Sequence, residues 1–376
     1  MSRAHDEIKI SPEEFRLLRD LFNQHCGLQF GPEARLSMER RLRERVVVLN
    51  LHSFGDYYAY LRSNSRGRAE LEEALDVITV NETYFFREDY QLRALRNEIV
   101  PMLVRGGAAK GRLSIWSAGC STGEEVYSIA MVAREAGMTA AREVRIFGSD
   151  ISRRCVVAAR KGIYGASSFR VTPPEMRRRY FEERQGAWHV TDELRALCQF
   201  GHLNLLDASR AAVVGRVDII FCRNVLIYLD EPSRRKVIET FYERLLPGGF
   251  LLLGHSESLL NVSTAFELVH LREDLIYRKP AAKLRLGLRE PLAALEAVRA
   301  ASISSSGIPR VLPPGAELDP AARAAAAGAD PRLAPAASPP APRPGAASSQ
   351  DGAAQVKAGS EPPRAMPAFQ KPSSSV

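Results

Sequence analysis

Long apolar runs are absent. No stretch of the 376 residues approaches the roughly 20 consecutive apolar positions of a membrane-spanning helix. The opening segment, MSRAHDEIKISPEEF, is charged and has no apolar h-region, so no signal peptide is expected. Cysteine is scarce: Cys26, Cys120, Cys155, Cys198 and Cys222 are the five, widely spaced and without a CxxC pair. That pattern excludes a disulfide framework and the usual zinc spacings, and fits reduced thiols of a cytosolic protein. No catalytic histidine or metal cluster stands out. A hydrophobic share of 45% with 26% charged residues excludes a wholly disordered chain, a collagen and a membrane bundle. The length exceeds what one ordinary domain needs.

What is present divides into blocks. Net charge is +8, which invites nucleic acid, an anionic surface or an acidic partner. Part of the excess lies in the tail and part on a basic segment near residues 35–45, where a solvated helix face is the bland alternative. Residues 1–78 read as a small all-helical domain. Ser11-Pro12-Glu13-Glu14 is a capping box with proline at the first helical position. Phe15, Leu18, Leu21 and Phe22 recur at helical spacing. A second helix runs through ARLSMERRLRERVVVL, a third starts at Ser53, and a fourth covers ELEEALDVI. From residue 281 to 376 the chain turns to Ala, Pro, Ser and Gly with Phe369 as the only aromatic, a composition expected to be mostly disordered.

Between these, strand-length apolar runs alternate with helical segments. LSIWSA, VRIFGSD, VDIIFCRN and GFLLLG read as strands, and a helix follows each of the first three. Such alternation implies a mostly parallel sheet covered by helices, whose ligands bind at the carboxyl ends of the strands. Polar sequence at about 166–203 interrupts it and reads as an inserted helix with a small β element on the sheet edge.

The strand ends carry the chemistry. The first closes on Gly119-Cys120-Ser121-Thr122-Gly123-Glu124-Glu125. Glycine lets a ligand approach the backbone. The two carboxylates would repel a pyrophosphate and suit hydroxyls, an amine or a cation, although first-turn acids also complement the helix dipole. The second strand closes on Asp150, where an acid commonly accepts ribose hydroxyls. That pairing points to S-adenosylmethionine. Arg223 and Asn224 close a later apolar strand. Cys222 could be proposed as a nucleophile, but its place in an apolar run favours a buried structural thiol. Ahead of the sheet, Asn81-Glu82-Thr83-Tyr84-Phe85-Phe86-Arg87-Glu88 couples two rings to polar groups able to face a cleft.

NETYFFRE, IWSAGCSTGEEVYSIAM, GSDIS, ARKGIYG, HLNLL, DIIFCRNVLIYLD and LLLGHSESL, in this order over roughly residues 8–280, resemble the CheR family of chemotaxis methyltransferases, which methylate chemoreceptor glutamates. The resemblance implies a Rossmann-like class I S-adenosylmethionine-dependent methyltransferase sheet over residues 79–280, with an inserted β subdomain, behind the N-terminal helical domain. It implies cofactor contacts from Asn81, Thr83, Arg87, Glu125, Asp150, Asn204, Leu205, Arg223 and Asn224, and active-site roles for Arg87 and Tyr228. Arg41 and Arg45 would face the acidic receptor. The implied partners are the cytoplasmic signalling domains of chemoreceptors, met by a monomer recruited to receptor arrays, with no nucleic acid and no membrane insertion. The chain departs from the pattern between Tyr180-Phe181 and Trp188-His189-Val190, where the loop is shorter than in enteric members. There the loop helps dock a receptor C-terminal pentapeptide, so methylation independent of that pentapeptide is expected.

A glutamate with a pKa near 4.3 is ionised at neutral pH and can attack a sulfonium methyl without a general base. Placement and desolvation then carry the catalysis. Two rivals remain at this level. A nucleic-acid methyltransferase would suit the charge, yet no [DN]PP[YF] motif surrounds Asn224. A non-catalytic adaptor would not need the intact run of pocket motifs.

Overall fold

In the computed structural model, which describes residues 8–281 apart from 64, 106–111, 139, 141 and 142, the N-terminal helices begin at the caps the sequence marks. Helix α1 spans Pro12–Cys26, with Ser11 and Glu14 forming both halves of the capping box. α2 spans Arg35–Val48, α3 Phe54–Leu61 behind its Ser53 cap, and α4 Ser65–Ile78. Phe15, Leu18, Phe22, Leu42, Val46, Phe54, Tyr57 and Leu75 share one buried core. The expected disorder of 281–376 falls, beyond Ala281, outside the described residues.

A helical run, α5 (Asp89–Ala94), a π turn (Leu95–Ile99) and α6 (Val100–Arg105), leads to the sheet. The alternation follows as β1 (Leu113–Ala118), α7 (Glu124–Glu135), β2 (Val144–Asp150) and α8 (Arg153–Lys161). Next come β3 (Ile163–Tyr164), α9 (Pro174–Tyr180), β4 (Phe181–Arg184), β5 (Ala187–Val190), α10 (Asp192–Arg195) and β6 (Cys198–His202). The chain closes with α11 (Ala208–Ala211), β7 (Val217–Cys222), α12 (Glu231–Arg244), β8 (Leu245–Leu253), β9 (Glu267–His270) and β10 (Leu275–Arg278). Seven strands form one sheet in the order β6-β2-β1-β7-β8-β10-β9. The first five run parallel, and β10 and β9 join antiparallel. Successive residues point to opposite faces. Ile115, Ile146 and Phe221 accordingly enter one core and Trp116, Ile220 and Cys222 the other. This is the class I methyltransferase type of sheet that the sequence implies. Its switch in strand order lies at β1, between β2 and β7, which is where such sheets open a crevice.

The interruption of the alternation differs in detail from the sequence reading. β3, β5 and β4 form a separate three-stranded sheet, not an addition to the edge of the main one. The stretch 198–202, read as insert, pairs with β2 as the edge strand β6. An edge strand needs neither a continuous apolar run nor two buried faces, so QFGH hides its strand character in sequence.

Candidate active site

The cleft floor is built by the turn after β1. Gly119 (φ +84°) lies so close to the loop after β7 that a Cβ there would collide with Val225 Cγ2. Its N–H and that of Cys120 donate to the Ser149 carbonyl. Ser121 adopts φ +49°, donates its N–H to Asp150 Oδ2 at 2.7 Å and its hydroxyl to the Asn81 carbonyl at 2.9 Å. Asp150 Oδ1 accepts from Ser152 N–H at 2.8 Å. The carboxylate is thus fixed by two backbone donors. Burial, at 7% exposure, raises its pKa, opposed by those N–H groups of Ser152 and Ser121. Ser152 in turn donates its hydroxyl to Asp76 of α4, which ties this side of the cleft to the helical domain.

A buried ion pair sets the opposite side. Arg223 Nε meets Glu125 Oε2 at 2.7 Å, with side chains 2% and 12% exposed. Glu125 Oε1 accepts from Ser117 Oγ. Arg223 Nη1 donates to the carbonyls of Arg87 and Glu88. Arg223 therefore holds the Asn81–Glu88 segment against the strand ends with Nε and Nη1. Phe86 and Glu88 flank Arg87 with φ +60° and +51°. Left-handed non-glycine residues persist only where their surroundings hold them. Here Phe85 anchors the segment, with its ring 4.8–4.9 Å from those of Tyr164, Phe169 and Phe181. Arg87 donates from Nη1 to the Glu82 carbonyl and lies over Tyr84.

The helical domain closes the cleft. Leu28 bridges to Leu229, and Gln29 N–H donates to the Tyr228 carbonyl at 2.8 Å. Asn204 donates to the His25 carbonyl and accepts from Leu206 N–H, so both ends of its side-chain amide are used within the protein. Arg41 Nη1 donates to the carbonyls of Ile78 and Thr79.

These elements enclose a cleft of about 340 Å³, within the range of small-molecule sites. It is lined by Arg41, Asn81, Thr83, Arg87, Glu125, Asp150, Asn204, Leu205, Arg223, Asn224 and Tyr228. Of the site residues expected from sequence, Arg45 alone is not brought there. Arg41 and Arg45, expected together as receptor-facing residues, have different surroundings in the structure. Arg45 makes a two-pronged bond to Glu70, at 2.9 and 2.6 Å, and Glu70 also accepts from Tyr57 Oη at 2.8 Å. A buried carboxylate draws this guanidinium inward. Cys222 is fully buried and its thiol is pushed well above its usual range by burial, which favours the structural thiol over the nucleophile. The sequence reading missed Glu257, Asp76 and the wall formed by Cys26, Leu28, Gln29 and Phe30. Glu257 lies inside the LLLGHSESL stretch, but nothing local signals its partners.

The residues present fit S-adenosylmethionine. Each Asp150 oxygen accepts one backbone bond and keeps a second lone pair, as a ribose diol would need. Arg87 retains guanidinium donors for a carboxylate, and Leu203 and Leu205 offer apolar surface beside Asn204.

Comparison with known proteins agrees. The family description "CheR methyltransferase, all-alpha domain" matches residues 13–79, and "CheR methyltransferase, SAM binding domain" matches 81–275. Chemotaxis protein methyltransferase 2 of Vibrio cholerae is 38% identical over 73% of this chain and 96% of its own length. Chemotaxis protein methyltransferase 1 of Pseudomonas aeruginosa is 33% identical over 70% and 97%, and the chemotaxis protein methyltransferase of Klebsiella aerogenes 34% over 74% and 93%. With its helical domain, its S-adenosylmethionine-binding sheet and the cleft between them, this chain belongs to the CheR family of chemotaxis methyltransferases.

Proposed function

We propose that the protein transfers a methyl group to glutamate side chains in the cytoplasmic signalling domains of chemoreceptors, giving glutamate 5-O-methyl esters for sensory adaptation. The observation that carries this reading is the make-up of the cleft. Among the described residues its lining contains no histidine and no lysine. Its thiols Cys26 and Cys120 are held protonated by burial, Cys26 up to about 12 and Cys120 well above its usual value. Its carboxylates are already engaged, Glu82 by Arg170, Glu125 by Arg223 and Ser117, and Asp150 by two backbone N–H groups, so a nucleophile that must first lose a proton finds little help there. A carboxylate arrives ionised and finds the guanidinium groups of Arg41 and Arg87. When bound, S-adenosylmethionine supplies an electrophilic methyl on a sulfonium.

In this reading Asp150 accepts the ribose hydroxyls, Thr83, Arg87 and Asn224 hold the methionine end, and Asn81, Asn204 and Leu205 line the adenosine. Arg87 and Tyr228 orient the attacking carboxylate oxygen. Glu125 and Arg223, paired with each other, contact the cofactor from the same wall, Arg223 at the methionine end beside Asn224. Holding the oxygen in line and excluding water accounts for the rate without proton transfer.

The β insert supports capture without a receptor pentapeptide. β4 and β5 are joined by Gln185 and Gly186 alone, at φ +52° and +76°, a two-residue hairpin of the primed type. Such a turn leaves no loop to wrap a peptide. The protein then works as a cytoplasmic monomer recruited to receptor arrays through its cleft and Arg41. Among the described residues no helix is long and apolar enough to cross a membrane. Incubation with methyl-labelled cofactor and either receptor signalling domains or DNA tests the assignment. Base-labile label on the receptor is expected; label on DNA, or none on the receptor, refutes it.

A further inference from the structure

Glu257 takes no part in lining the cleft, yet its carboxylate gathers four backbone donors. Oε2 accepts from Gly254 N–H at 2.7 Å and Asn224 N–H at 2.8 Å. Oε1 accepts from Val225 N–H at 2.9 Å and Ile227 N–H at 3.3 Å. Three of these donors belong to the loop after β7 that carries Asn224 and Tyr228. Asn224 is left-handed there, at φ +57°, and Val225 follows at φ −120°. This turn aims its N–H groups at one point, the geometry of an anion-binding nest, and the chain fills the nest with its own carboxylate. Glu257 is itself placed by a tight turn, its N–H donating to the Gly254 carbonyl at 2.9 Å. Gly254 permits the approach, since a Cβ there would lie 2.8 Å from Asn224 N and 2.9 Å from its Nδ2. The far end of the loop is held by the helical domain, where Gln29 N–H meets the Tyr228 carbonyl and Asp230 N–H the Gly27 carbonyl.

We propose that Glu257 is a positioning residue for methyl transfer. Its charge keeps Asn224 in the left-handed state that faces it to the cleft, and fixes the turn Leu226–Tyr228 so that Tyr228 lines the cleft. The proposal rests on the reading above that Asn224 and Tyr228 serve the reaction. It demands an anion. Glutamine has nearly the same shape but would turn an NH₂ toward two N–H donors, whereas aspartate keeps the charge one methylene further back.

The test uses the full chain with Glu257→Gln and Glu257→Asp. The readouts are amide hydrogen exchange at residues 224, 225 and 227, melting temperature, and kcat and KM for a receptor signalling-domain fragment with labelled cofactor. Glu257→Gln should lose exchange protection at those amides. Its kcat should fall by about tenfold or more, as expected from lost bonds to a charged acceptor, while receptor KM stays within about twofold. Glu257→Asp should retain more kcat than Glu257→Gln. A purely structural glutamate would instead lower the melting temperature and leave kcat per folded molecule unchanged. That result overturns the proposal, as does undiminished amide protection in Glu257→Gln or a glutamine variant as fast as the aspartate one. If wild-type protein methylates no receptor, the functional reading fails, but loss of protection in the folded glutamine variant still supports the grip of Glu257 on the loop.

Discussion

Replacing Asp150 separates its two tasks. In the protein its oxygens accept from Ser121 and Ser152 N–H groups, and in the proposed site their remaining lone pairs take the ribose hydroxyls. Asp150→Asn keeps the shape and one oxygen acceptor but removes the charge. A bond to a charged group contributes about 1.5–3 kcal/mol, so loss of one such contribution weakens S-adenosylhomocysteine by roughly ten- to hundredfold. Asp150→Ala removes both acceptors and orphans two buried N–H groups. At about 1–3 kcal/mol each, the apo protein should lose about 2–6 kcal/mol, or roughly 4–10 °C in a folded unit of this size. Calorimetric titration reads the first effect and thermal unfolding without ligand the second. A folded Asp150→Asn protein that binds S-adenosylhomocysteine within about twofold of wild type would refute the ribose role. An alanine variant as stable as wild type would refute the claim that these two bonds hold the turn. Because burial raises the Asp150 pKa, wild-type affinity should fall on acidification at a higher pH than an ordinary aspartate would dictate, and the alanine variant should lack that step.

Arg41 and Arg45 should part company. Arg41→Glu should raise receptor KM and flatten its salt dependence, with a smaller loss of stability than Arg45→Glu, since Arg41 bonds only the carbonyls of Ile78 and Thr79. Arg45→Glu should lower stability by about 3 kcal/mol or more, because Glu70 would face a like charge in a buried site; equal effects on KM with no change in unfolding would contradict this. His25 has a pKa depressed by burial, partly offset by Glu72 and reinforced by His202. Below 6.5 the unfolded chain therefore binds a proton that the folded one resists. The stability this histidine confers is present above that pH and declines as pH falls toward the depressed value. His25→Gln should flatten the fall of the melting temperature below about pH 6.5; an unchanged slope would assign it elsewhere. Finally, a peptide carrying the enteric receptor C-terminus should not bind, and removing the tail of a methylated receptor should leave its methylation rate unchanged. Micromolar binding together with loss of methylation would overturn pentapeptide independence.

Much of this protein was legible in one dimension because the signals are local. Caps such as Ser11 and Ser53 act over three residues, buried parallel strands must be continuously apolar, and ligand groups must sit at strand ends, as Gly119, Asp150 and Arg223 do. Periodicity could not go further. Arg41 and Arg45 share a helical face, yet one lines the cleft and the other is drawn to Glu70, because the elements packed against α2 differ along its length. Arg223 and Glu125 are 98 residues apart, and only the sheet register makes them a pair. Glu257 meets Asn224 from 33 residues away, and Asp76 meets Ser152 from 76. A carboxylate's partners are a property of what folding brings beside it, and no spacing rule encodes them. The sequence by itself determined which groups would stand at the strand ends; the tertiary structure decided which stay available to a ligand and which are bound up in holding the others in place.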